Sequence, residues 1–198
     1  PLLPAIALVG RPNVGKSTLF NRLTGTRDAL VADYPGLTRD RLYGFCRSEA
    51  GSAVIIDTGG LSGDQDEMSV LIARQVELAV AEADVVFFML EASGVTTADE
   101  TIAGLLRRSG KPVVIAVNKA EGLPAELTAA EFWSLGMGEP KGVSAARGDR
   151  VNELLRFALS QHAASVPDGL AVTDTETDKP VVAGGVRIAV IGRPNVGK

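Results

Sequence analysis

The stretch AIALVGRPNVGKSTLF, Ala5 to Phe20, decides how the rest of this chain is read. Ala5–Val9 is a short apolar run that ends at a glycine, and Leu19, Phe20 and Leu23 follow at helical spacing. Between the strand and the helix, Gly10–Ser17 matches G-x-x-x-x-G-K-S, and that setting is what gives the pattern its chemistry. Its glycines let backbone N–H groups turn inward around phosphate oxygens. Lys16 would reach the β- and γ-phosphates, and the Ser17 hydroxyl would bind Mg²⁺. Asn13, Val14, Gly15, Lys16, Ser17 and Thr18 are therefore the candidate phosphate cradle.

Outward from this point, β-rich runs alternate with helical patterns. Arg41–Glu49 and Ser52–Asp57 flank a hairpin-like break at Ala50-Gly51. Ile72, Val76, Ala79, Val80 and Ala83 share one helical face, Ile102, Leu105 and Leu106 mark another helix, and Val151, Leu154, Leu155, Ala158 and Leu159 a third. Asp149 is a candidate cap for the last. Val85–Leu90 and Val113–Val117 are continuous apolar runs, as in strands covered on both faces. The expected fold is α/β: a doubly wound, mostly parallel six-stranded sheet with one antiparallel edge strand and helices on both faces.

Composition sets the bounds. Of 198 residues 45% are hydrophobic and 22% charged, enough for one globular domain and a remainder. A net charge of −4 gives this piece no electrostatic reason to seek nucleic acid or membrane. The single Cys46 cannot form an internal disulfide, and with no membrane-length apolar run or signal peptide the expectation is a cytoplasmic protein. Residues 163–185, with Asp168, Asp174, Glu176 and Asp178 against Lys179, are expected to form an acidic flexible linker. Then VRIAVIGRPNVGK restarts the opening strand and loop, and Gly192–Lys198 repeats Gly10–Lys16 residue for residue. The expected organisation is a first domain over 1–162, the linker, and the truncated start of a second domain over 186–198. Without a following Ser/Thr and helix, that second loop is not expected to bind nucleotide.

Three more motifs stand at strand ends. Asp57-Thr58-Gly59-Gly60 closes the strand AVIID, where a carboxylate can hold Mg²⁺ through water and the Gly60 N–H can sense a γ-phosphate. Asn118-Lys119-Ala120-Glu121 follows PVVIAV. The Glu121 carboxylate can accept from guanine N1–H and the 2-amino group; adenine offers neither donor and leaves the acceptor unpaired. Asn118 and Lys119 would brace that loop, with the Lys stem along the base. Ser144-Ala145-Ala146 would complete the pocket with backbone N–H donors.

In this order the four motifs resemble the guanine-nucleotide site of the P-loop GTPases, which implies GTP or GDP as ligand. YPGLTRDR, Tyr34–Arg41, is similar to the P-G-x-T-R-D switch signature of the TrmE, Era and EngA/Der group. The resemblance implies that Thr38 reaches Mg²⁺ and the γ-phosphate in the GTP state. The tandem phosphate loops, SLGMGEP and SAARGDRVNELL narrow it to the EngA/Der family. That resemblance implies the P-loop GTPase fold, a GTP-hydrolysing switch of low intrinsic turnover, and a role in assembly of the large ribosomal subunit through the full-length protein. A second G domain and a KH-like domain, absent from this sequence, are implied as well.

Two departures matter. Leu61 stands where Ras-like GTPases have a Gln that orients the attacking water. The family resemblance implies K⁺ in its place, with Asn13 as ligand. Lys16, Thr38, Gly60 and Asn13 are then the candidate catalytic set, and Ser17, Thr38 and Asp57 the candidate Mg²⁺ ligands. Glu121 replaces the usual Asp; its extra methylene is expected to weaken GTP affinity and keep the preference over ATP. Two other readings remain open: a guanine-nucleotide-sensing regulatory domain with negligible turnover, and a GTPase of the related tRNA-modification group. His162 is expected to be solvated, Phe132 and Trp133 to pack under a helix, and Cys46 to be structural.

Overall fold

The computed structural model describes residues 3–25, 29–30, 42–58, 65–122 and 131–165. The chain divides into two units, Pro1–Pro167 and Asp168–Lys198, and the architecture below is that of the first. Thr38, Gly60, Leu61, residues 166–185 of the expected linker and the second GRPNVGK lie outside the described residues, while residues 163–165 belong to the last helix.

In chain order the elements are β1 (Ala5–Val9), α1 (Lys16–Thr24), β2 (Ala29–Leu30), β3 (Leu42–Ser48), β4 (Gly51–Asp57), α2 (Gln65–Glu82), β5 (Val85–Glu91), α3 (Thr97–Ser109), β6 (Val113–Asn118), a 3₁₀ turn (Trp133–Leu135), β7 (Lys141–Gly142) and α4 (Val151–Ser165). The sheet order is β2-β3-β4-β1-β5-β6-β7. The six expected strands run from β3 to β7, and the two-residue β2 adds a seventh position outside β3. β3 pairs antiparallel with β4 and with β2; every other pairing is parallel.

Strand alternation explains the two layers of core. On β1, Ile6 and Leu8 face α1 and α4, where Leu19, Phe20, Leu154 and Leu155 close over them. Ala7 and Val9 face α2 and α3, against Val76, Ala79, Ile102 and Leu106. Phe87 and Phe88 of β5 split the same way, and each is fully buried. A side chain of that size contributes roughly 1.5–3 kcal/mol on burial, so the apolar strand is the centre of stability.

Helix ends follow local chemistry. Thr96 and Asp99 form a capping box at the start of α3, and Gly110 ends it in the left-handed region at φ 67°. Asp149 does not cap α4. The first helical bond there goes from Leu154 N–H to the Arg150 carbonyl, and Arg150 itself sits at φ 60°, so the boundary falls one residue later. Trp133 also departs from expectation. In the 3₁₀ turn Phe132 and Leu135, three residues apart, point inward, which leaves Trp133 52% exposed.

Because β1 lies between β4 and β5, chain connections leave it in opposite directions, and a crevice opens at its carboxyl end. Residues 10–15 start there. The carboxyl ends of β4, β5 and β6 border the same crevice with Asp57, Glu91 and Asn118.

Candidate functional site

The loop from Gly10 to Gly15 turns on residues with little steric freedom to spare. A Cβ on Gly10 would collide with the Met89 carbonyl, and one on Gly15, at φ 99°, with the Asn118 amide. Asn13 occupies the left-handed region at φ 67°, with its side chain exposed. Pro12, Asn13, Gly15, Lys16, Ser17 and Thr18 line a cleft of about 320 Å³. Ser17 and Thr18 are exposed at its mouth, in the first turn of α1, where free N–H groups favour an anion.

Lys16 is the buried cation of this loop. Its Nζ donates to the carbonyls of Gly10 and Arg11, both at 2.9 Å, and the residue is only 7% exposed. Burial pushes its pKa below the ordinary lysine value, and the nearby Asp57 carboxylate partly offsets that. Asp57 is fully buried at the end of β4, in register with Leu8. Thr58 is fixed beside it, donating from Oγ1 to the Leu8 carbonyl at 2.9 Å.

Asn118 joins two loops. Its Nδ2 donates to the Val14 carbonyl at 2.8 Å, and its Oδ1 accepts from the Ala145 N–H at 2.9 Å. All three residues are at least 97% buried. Residues 144–146 are held from the other side by Arg22 of α1, which donates to the carbonyls of Ala145 (3.2 Å) and Ala146. Ser144 donates its hydroxyl to the Glu121 carboxylate. That bond, foremost, and one to a backbone N–H hold the Glu121 pKa below the usual carboxylate range. The longer side chain therefore does not swing free: it ends on the serine of the neighbouring motif.

The structure thus brings together Asn13, Val14, Gly15, Lys16, Ser17, Thr18 and Asp57 on one side, and Asn118, Lys119, Glu121, Ser144, Ala145 and Ala146 on the other. The residues suit a Mg²⁺ nucleotide. A buried ammonium, a buried carboxylate and an exposed hydroxyl meet at the cleft, and Mg²⁺ takes few protein ligands because phosphates and water supply the others. Among the described residues no cluster of three or more His, Cys, Asp or Glu could hold a metal by itself, so the site is not a self-sufficient metal cage. Cys46 is buried in β3, where desolvation raises its thiol pKa and leaves it inert. His162 is half-buried in α4.

Three charged residues escape a motif reading. Arg22 is one. Arg11 and Glu91 are the others, an ion pair at 2.9 Å beside Lys119. The one sequence signal for Glu91 is a lone carboxylate ending the buried run VVFFML.

Residues 5–119 match the model of the 50S ribosome-binding GTPase family. The chain is 45% identical over 207 residues to a GTPase Der of Pseudoalteromonas atlantica, covering 100% of this chain and 43% of that protein. It is 49% identical over 197 residues to a GTPase Der of Burkholderia mallei, covering 98% and 43%. The chain therefore spans less than half the length of these relatives. Among solved structures, Era in complex with MgGDPNP and a 16S ribosomal RNA segment is similar, with a TM-score of 0.62 at 29% identity over 80% of this chain and 56% of that one. An Aquifex aeolicus Era variant bound to GDP·AlF₄⁻ is similar too, with a TM-score of 0.63 at 31% identity over 89% and 62%. Among the described residues no helix is long and apolar enough to cross a membrane.

Proposed function

Since the chain belongs to the family of 50S ribosome-binding GTPases, we propose that its first unit binds GTP and GDP and hydrolyses GTP slowly, as a switch in assembly of the large ribosomal subunit. The observation that carries this reading is the Asn118 bridge, which sets a phosphate-type loop and a carboxylate-bearing base loop in one fixed frame. In this reading Gly10–Thr18 hold the phosphates, Lys16 neutralises developing charge on the γ-phosphate, and Glu121 selects guanine with Ser144, Ala145 and Ala146 around the base. Ser17, Asp57 and Thr38 hold Mg²⁺, and Thr38 and Gly60 sense the γ-phosphate. Asn13, exposed at the cleft in a left-handed turn, is the residue positioned to take K⁺. The ion would supply positive charge where Leu61 offers no polar group.

The ribosomal role is drawn from similarity to proteins named GTPase Der and is proposed for the whole protein, acting in the cytoplasm. Residues 1–162 are taken as a G domain, 163–185 as a linker and 186–198 as the start of a second G domain. The test uses displacement of a fluorescent GDP analogue. Unlabelled GTP is expected to compete and ATP to fail; equal competition by ATP overturns the guanine reading. Single-turnover hydrolysis in KCl and NaCl then tests the ion, and equal rates remove K⁺ from the proposal.

A further inference from the structure

Glu91 is the last residue of β5 and stands in register with Asn118 of β6. The next N–H, that of Ala92, donates to the Asn118 carbonyl at 2.9 Å, so the backbone at Glu91 is fixed against the base loop. From this anchor the carboxylate reaches both ways. Its Oε2 accepts from Arg11 Nη2 at 2.9 Å, and its Oε1 accepts from Lys119 Nζ at 2.9 Å. Arg11 belongs to the phosphate loop and Lys119 to the base loop. Arg11 is further held by the fully buried Asp99, whose carboxylate lies 3.4 Å from its Nε.

The ladder between β5 and β6 and the two apolar layers hold the fold, and Glu91 belongs to neither layer. What it adds is specific to the loops. Without this carboxylate Lys119 loses its ion pair, and Arg11 keeps only the longer contact to Asp99. With it, each makes a charge-assisted hydrogen bond to one shared carboxylate, the Arg11 bond part-buried and the Lys119 bond exposed to solvent screening. Lys119 sits at φ 61°, a strained setting for a non-glycine residue, and the tether fixes its side chain there.

We propose that Glu91 is a positioning residue that latches the phosphate loop to the base loop and thereby slows release of bound guanine nucleotide. This rests on the nucleotide-binding reading above. Parting of the two loops precedes nucleotide release, and the latch opposes it. The effect is read on dissociation, since breaking the two ion pairs adds to the barrier for release. Side-chain length matters as well as charge: an Asp, one methylene shorter, can hold one of the two cations and not both.

The test is release of a fluorescent GDP analogue from the 198-residue chain, chased with GDP over a range of NaCl concentrations. Glu91→Gln is expected to release it about tenfold faster with association unchanged, and Glu91→Asp to fall between Gln and wild type. Wild-type release is expected to rise more steeply with salt than that of Glu91→Gln, which keeps only the salt dependence of the charged nucleotide's own contacts. Release from Glu91→Gln at the wild-type rate overturns the latch. Faster release that keeps the wild-type salt dependence overturns it too, because that is general loosening. A wild-type chain that binds no guanine nucleotide takes down the parent reading and this inference together, a result distinguishable from either of the others.

Discussion

Asn118 and Val14 are 104 positions apart in sequence and joined by one hydrogen bond of 2.8 Å, from the side-chain amide to the backbone carbonyl. The donor is the last residue of a strand, the acceptor the middle of a loop that pairs with no strand. Their contact joins the two segments into one frame, and the opposite end of the same amide does this again with Ala145.

Asn118→Ala leaves the Val14 carbonyl and the Ala145 N–H buried without their partner. Each such group costs about 1–3 kcal/mol, so unfolding free energy should drop by about 3 kcal/mol in urea titrations. Asn118→Asp keeps an acceptor for Ala145 and loses the donor to Val14, placing a charge beside a carbonyl instead; it should bind nucleotide no better than Ala. Wild-type stability in the Ala variant would show that the bridge carries no load.

Lys16→Met should separate stability from binding. The unfolded chain keeps the lysine proton up to the ordinary value, while the folded protein gives it up at lower pH. Between those two values the unfolded state binds more protons, so stability of the nucleotide-free protein rises with pH. The Met variant removes that slope and should be at least as stable as wild type at pH 7. Its nucleotide affinity should fall on the order of a hundredfold, the worth of a charged hydrogen bond to phosphate. A less stable variant with intact binding contradicts both halves.

For Glu121 the linkage has the same sign, because its folded pKa is lowered as well. Its folded pKa lies below the ordinary carboxylate range, so its charge is present at neutral pH and lost as pH falls through that depressed value. Preference for GTP over ATP should therefore hold level from pH 7 down to the ordinary carboxylate range and decline only beneath it. Glu121→Gln should reduce the preference about 10- to 100-fold wherever the wild-type carboxylate is charged, and competition titrations at several pH values measure both. A preference that already declines between pH 7 and 6 would assign the selectivity to another group.

What was legible in the sequence is what is local. The Gly10–Ser17 loop declares itself because glycine spacing, a flanking strand and a following helix all lie within a few residues. The apolar runs at Val85–Leu90 and Val113–Val117 betray a sheet covered on both faces, which the two core layers bear out. The latch at Glu91 was illegible for the converse reason. Its partners are 80 and 28 positions away, and only the strand order puts β1, β5 and β6 side by side. Trp133 and Asp149 misled because a one-residue phase in a short turn decides which side faces out, and composition does not encode that phase.

Gly15 acts, finally, as a clearance gauge. The hydrogen that replaces a side chain there is what lets the Asn118 amide come near enough to reach Val14, since any Cβ would occupy the same space. The gap between the two halves of the pocket is thus fixed by the smallest substituent the genetic code offers. A bulkier residue at position 15 would leave both halves folded and spoil only their fit, as a shim spoils a joint.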